Sequence, residues 1–169
     1  LALGFKEAEL TPTSGHPGVF GFYDAGAKKT LVVYMMYDVQ PVEPEAWRVP
    51  PFDGALVDHN LGRVLMARGA TNQKGPERAF LNAVEAIRAV KGTLPVNLMI
   101  VAEGEEELGS PNYPQVIDRY ESRLKNAHGV FFPMKNSSVR CTTPIDGSST
   151  AVRCMSVEMN CLNSPGLIS

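Results

Sequence analysis

Two largely apolar runs constrain this chain more than any other feature. They are "TLVVYMM" (Thr30 to Met36) and "PVNLMIVA" (Pro95 to Ala102). Neither alternates apolar with polar side chains, so neither suits a strand with one wet face. Runs of this kind are expected for strands covered on both faces. Such cover requires helices, and the sequence supplies two. In "NQKGPERAFLNAVEAIRAVKG", Phe80, Leu81, Val84 and Ile87 follow helical spacing. Pro76 suits the first helical position and Gly92 the stop. "NYPQVIDRYESRLKN" reads as a second helix, and "GVFGFYD" (Gly18 to Asp24), "RVLMA" (Arg63 to Ala67) and "GVFFPM" (Gly129 to Met134) as further strands. The expected fold class is α/β, a mainly parallel sheet with helices on both faces.

Composition permits such a core. Of 169 residues, 44% are hydrophobic and 20% charged, which fits one packed domain of ordinary size. The formal net charge is -2 with no basic block, so no nucleic-acid partner is expected. No apolar run reaches the length of a membrane span, and no basic-then-apolar leader is visible. Cys141, Cys154 and Cys161 lack metal-type spacing and read as reduced thiols, which suits the cytoplasm. The triplet "NSS" at Asn136 is read as a chance sequon. The chain begins at Leu1 and stops at "NSPGLIS", so a piece of a longer protein is expected. From Val139 the pattern changes to short β-like pieces. Residues 1–138 are therefore expected to belong to one domain and 139–169 to open a second, α+β one.

In open α/β sheets, ligands bind beyond the carboxyl ends of the strands. Four segments qualify: "MMYDVQP", "RGATNQKG", "EGEEELGS" and "PMKNSS". The third is the most unusual, because Glu103, Glu105, Glu106 and Glu107 crowd together just past a buried strand. Like charges this close raise one another's pKa unless a cation or a division of roles offsets them. The bland alternative is a solvated acidic loop. Asp38 has a functional reading and an Asx-turn reading. Lys74 and Gly75 precede a helix, but no Gly-rich phosphate loop accompanies them. His16, His59 and His128 are scattered and form no metal-binding pattern.

Taken in order, "YMMYDVQPVEPEAWRVPPF", "ARGATNQKGPERAFLNAVEAI" and "LPVNLMIVAEGEEELGS" resemble the cocatalytic dizinc exopeptidases and amidohydrolases. That family includes carnosine dipeptidases, aminoacylase, acetylornithine deacetylase and succinyl-diaminopimelate desuccinylase. The resemblance runs from about Gly18 to about Met134 and points most to the dipeptidase-like branch. It implies a zinc-exopeptidase-like phosphorylase/hydrolase fold, zinc or another divalent cation, and hydrolysis of the amide bond of a small dipeptide or N-acyl amino acid. It also implies an inserted lid domain, whose start would be residues 139–169, and a homodimer of the full-length parent.

The resemblance implies site roles as well, and this chain departs from several. Asp38 falls at the Asp of the first motif, which orients a metal-binding His, but Met36 stands at that His position. Asn72 stands at the bridging Asp position, with Gln73 after it. Glu106 matches the general base and Glu107 the ligand beside it. Met134 falls at or next to a further acidic ligand position. A thioether is a poor replacement for imidazole or carboxylate at zinc, and Asn brings no negative charge. Three explanations follow: a fold used without the two metals, a single different cation, or catalysis by Glu106 with Lys74 or a helix N-terminus stabilising an oxyanion. The expected function is an amide hydrolase with an altered metal site. The alternative is a non-catalytic member that binds a small ligand or a partner.

Overall fold

A computed structural model describes residues 3–134. The expected change of pattern after Val139, the three cysteines and Asn136 lie outside these residues. Five strands form the main sheet: β1 (Glu7–Thr11), β2 (Gly18–Tyr23), β3 (Thr30–Met36), β6 (Asn97–Glu103) and β7 (Gly129–Phe131), in the order β1-β2-β6-β3-β7. Between β3 and β6 the chain forms a hairpin, β4 (Ala55–His59) and β5 (Gly62–Met66), and the helix α1 (Gly75–Lys91). Helix α2 (Tyr113–Leu124) joins β6 to β7.

The two apolar runs are the paired centre of the sheet. β3 and β6 run parallel, with Thr30 opposite Asn97 and Met36 opposite Glu103, so both end at one level. Side chains on β3 then alternate between two cores. Val33 and Met35 face α1, packing with Val84, Leu98 and Leu94. Val32 faces the other way, with Met99, Val101, Val116 and Tyr120. A strand with helices on both faces has no wet side, which accounts for its unbroken apolar sequence. Phe20 of β2 is fully buried and stacks on Tyr120 of α2, with ring centroids 3.9 Å apart.

The expected helices are present. Pro76 sits in the first turn of α1, and Gly92 closes the helix in the left-handed conformation at φ 78°. The sheet itself needs two corrections. It is mixed rather than mainly parallel: β7, β3 and β6 are parallel, whereas β1 with β2 and β2 with β6 are antiparallel. The short links before and after β2 leave no room for crossover helices, so β2 returns against its neighbours. The predicted strand "RVLMA" also lies outside the main sheet. Among the described residues it pairs only with β4, a strand the sequence reading missed. Exposed Leu56 and Leu65 face each other across this hairpin, so its alternation is that of a surface ribbon.

Candidate active site at the strand ends

The carboxyl ends of β3 and β6 deliver two acidic stretches to one place. The backbone N–H of Tyr37 donates to the Glu103 carbonyl at 2.9 Å, which continues the parallel ladder one step past the strands. The chain after β6 can bend there because Gly104 has no side chain. A Cβ at that position would lie 2.2 Å from the Tyr37 ring. One short turn, Glu106–Leu108, then presents two residues of the acidic run, Glu106 and Glu107.

Asp38 organises this turn. Its Oδ2 accepts the backbone N–H of Glu107 at 2.9 Å, while its Oδ1 is buried without a partner among the described residues. Glu107 is held from the other side by Gln40, whose Nε2 donates to Glu107 Oε2 at 2.8 Å. The hairpin returns the chain to the same edge through a π-helical turn, Ala70–Lys74. Gln73, almost wholly buried, donates from Nε2 to the Asp38 carbonyl at 2.5 Å. Lys74 Nζ donates to the Tyr37 carbonyl at 2.7 Å. The "RGATNQKG" segment thus reaches the site although its strand lies outside the main sheet.

Three of the crowded carboxylates have separate environments, and none matches a merely solvated loop. Glu103 is 4% exposed; its Oε1 accepts from Tyr34 at 2.6 Å and from Ser110 at 2.8 Å, and its Oε2 is buried without a partner among the described residues. Glu105, also buried, accepts from Asn112 at 2.8 Å. Glu106 is part-buried, and its carboxyl is pushed above the ordinary glutamate range. Desolvation is the main cause, followed by the negative charges of Glu107, Asp38 and Glu103. Burial also pushes the Tyr34 hydroxyl up, reinforced by its hydrogen bond to Glu103.

Beside this cluster lies a cavity of about 520 Å³ between α2, β3 and β7. Glu103, Glu106 and Ser110 line one end, Val32, Val130 and Leu124 the remainder. Its size is within the usual range for small-molecule pockets. Met134 also lines it, so Met134 and Glu106 share one wall system.

The structure therefore gathers Met36, Asp38, Gln73, Lys74, Glu106 and Glu107 around the ends of β3 and β6. Asn72, by contrast, is exposed. Met36 is 1% exposed, and its N–H donates to Glu77 Oε1 of α1 at 2.9 Å. The sequence reading missed Gln40, Glu77, Tyr34 and Ser110. Glu103 was named as one of the acidic run, and two-residue alternation sets it apart by putting it on the face of Met99 and Val101, where a carboxylate is out of place.

The donor set does not fit a pair of divalent ions. Among the described residues no group of three His, Cys, Asp or Glu side chains converges as a metal cage. The relevant positions hold a buried thioether, a neutral exposed amide and one carboxylate already bonded to Gln40. Neither thioether nor amide replaces imidazole or a bridging anion at zinc.

Comparison with known proteins places these features in a wider set. The sequence profile of Peptidase family M20/M25/M40 matches residues 32–142. The Cys-Gly metallodipeptidase dug1 of Schizosaccharomyces pombe is 40% identical over 117 residues, covering 68% of this chain and 24% of that protein. The Beta-Ala-His dipeptidase of Homo sapiens is 38% identical over 98 residues, covering 57% of this chain and 18% of that protein. The chain thus spans no more than about a quarter of the length of these relatives. Among solved structures, the M20 family metallo-carboxypeptidase Sso-CP2 from Sulfolobus solfataricus superposes with a TM-score of 0.66 at 39% identity, covering 75% of this chain and 28% of that one. Human carnosine dipeptidase 1 gives 0.65 at 27% identity, covering 78% and 29%.

Proposed function

Because the chain belongs to Peptidase family M20/M25/M40, we propose that it carries the catalytic-base half of an amide hydrolase with an altered metal site. The substrate is a small dipeptide or N-acyl amino acid, in keeping with the dipeptidases among its relatives. The observation that carries the proposal is the setting of Glu106. It stands at the strand ends, beside a pocket, with its carboxyl raised above the ordinary range. A carboxylate with a raised pKa takes a proton from water more readily and returns it to a leaving amine more slowly than the reverse case, so a value nearer neutrality serves both steps.

The other residues act by position. Asp38 fixes the turn through the Glu107 N–H, and Glu107 with Gln40 anchors its outer side. Lys74 is committed to the Tyr37 carbonyl, so it braces the loop after β3 in this arrangement. Glu106 orients water against the scissile carbonyl, takes its proton and passes it to the departing nitrogen. No group among the described residues is assigned to polarise the carbonyl. The family's divalent cation supplies that chemistry in the metallo-enzymes, but the donors described here do not hold a pair of ions, and no step is assigned to them. The full-length parent is proposed to be cytoplasmic and dimeric, with residues 139–169 opening the lid domain.

The experiment is hydrolysis of Cys-Gly and β-Ala-His dipeptides by the longest form of the protein that can be expressed. Glu106→Gln should lower turnover by about a hundredfold or more while dipeptide binding persists. A second reading, a non-catalytic member that binds a small ligand, is favoured by the neutral residues at Met36 and Asn72. It predicts no turnover by either form and equal binding by both.

A further inference from the structure

The proline-rich loop after β3 forms a second cavity, of about 360 Å³, which shares no lining residue with the one beside Glu106. Its size is within the usual range for small-molecule pockets. Pro41, Val42, Glu43, Ala46, Trp47 and Arg68 line it. Arg68 follows the hairpin β4–β5, and its guanidinium stands over the Trp47 ring, 5.1 Å from the centroid. Its Nη2 also donates to the Pro41 carbonyl at 3.4 Å. Both neighbours of this cation line the cavity, so the guanidinium itself stands at the wall, on a side chain that is only part-buried. Glu43 is exposed, and its backbone carbonyl is engaged by the Ala46 N–H at 3.0 Å. Although Glu43 and Arg68 line one cavity, they do not pair with each other.

The backbone sets this arrangement in advance. The Arg68 N–H donates to the Pro51 carbonyl at 2.7 Å, and the Trp47 N–H to the Pro44 carbonyl at 3.1 Å. Pro41, Pro44, Pro50 and Pro51 restrict the chain that carries the cavity. Groups fixed in this way lose little freedom when a ligand arrives.

We propose that this cavity is a binding site for a free, zwitterionic amino acid, its carboxylate on Arg68 and its ammonium on Glu43. A guanidinium offers a carboxylate parallel N–H donors, and an ammonium offers a carboxylate three. Val42 and Ala46 give an aliphatic side chain an apolar surface. Inorganic phosphate suits the place less well, because Glu43 repels a dianion. A divalent cation suits it poorly too, since one carboxylate supplies too few oxygens and Arg68 opposes the charge. Pro41 follows Gln40, which holds Glu107, so the seat adjoins the candidate active site. On the hydrolase reading, its ligand is of the class released as product; that application rests on the reading, whereas the binding site itself does not.

Trp47 is the one tryptophan of the chain, so its emission reports on this cavity. The test is fluorescence titration at pH 7 with L-leucine, with isoamylamine, which lacks the carboxylate, and with N-acetyl-L-leucine, which lacks the ammonium. Leucine should change the emission saturably and bind at least about tenfold more tightly than either analogue. Arg68→Gln should remove its advantage over isoamylamine, and Glu43→Gln its advantage over N-acetyl-L-leucine, with folding checked by circular dichroism. Glu43→Gln alters an exposed position and keeps the test decisive should Arg68→Gln unfold. No saturable response to leucine, an equal affinity for either analogue, or an unchanged advantage over N-acetyl-L-leucine in Glu43→Gln would each overturn the proposal. Because no turnover is measured, these outcomes are separate from the failure of Glu106→Gln to abolish hydrolysis.

Discussion

Glu77 shows how one residue can hold the end of a core strand and make it sensitive to pH. Its Oε1 accepts the Met36 N–H, the last of β3, from the first turn of α1. Burial holds its carboxyl above the ordinary value of 4.5, outweighing the opposing pull of that hydrogen bond and of Lys74. The folded state therefore keeps the proton at a pH where the unfolded chain has released it. This contribution is fully present below the ordinary value and is lost as pH rises through the raised one. Glu77→Gln keeps an oxygen for the Met36 N–H and removes the charge. Urea denaturation at pH 4.5 and pH 7 should show a smaller loss of stability on going to pH 7 in the variant; an unchanged loss would exclude Glu77 as the source. At the same scale, Asp38→Ala should release the turn that carries Glu107. It leaves one backbone donor unpaired, with an expected cost of about 1–3 kcal/mol in urea denaturation.

At the scale of elements, the sheet edge depends on close approach as much as on hydrogen bonds. Gly104→Ala would drive a methyl to within 2.2 Å of the Tyr37 ring, whose hydroxyl donates to the Pro17 carbonyl at 2.6 Å. The expected cost is about 1–3 kcal/mol. Most of it should be recovered in the Gly104→Ala/Tyr37→Ala double variant, because the two changes act on one contact. Independent costs in that cycle would show that the strain lies elsewhere. On the far side of the sheet, Phe20→Ala empties a fully buried site against Tyr120 and should cost about 3–5 kcal/mol by thermal or urea denaturation. Elements with a strong local pattern were legible in the sequence. β3 and β6 announced themselves by unbroken apolar runs, and α1 by spacing, Pro76 and Gly92. β1 and β4 were not, since their exposed faces leave little apolar signal. The reversal of β2 was hidden for another reason: pairing partners are chosen by tertiary contact, which no local run encodes.

For the whole molecule, the family grammar and the chemistry of the site part company. The order of strands, turns and helix starts brings Asp38, Gln73, Lys74, Glu106 and Glu107 to one edge, and motif positions were enough to foresee that meeting. The hydrogen bonds among them were not foreseeable, because Gln40 to Glu107 and Gln73 to Asp38 join loops 67 and 35 residues apart. Those bonds give the site a settled arrangement of neutral amides around its remaining carboxylates. The central proposal is that Met36 and Asn72 leave this half of the fold without the donors for a metal pair. Zinc titration of the chain by calorimetry, beside the Met36→His/Asn72→Asp variant and Glu107→Ala, tests it most directly. The account predicts no tight, saturable uptake by the natural sequence and a gain of zinc binding in the double variant. Stoichiometric tight uptake by the natural sequence, lost in Glu107→Ala, would contradict it.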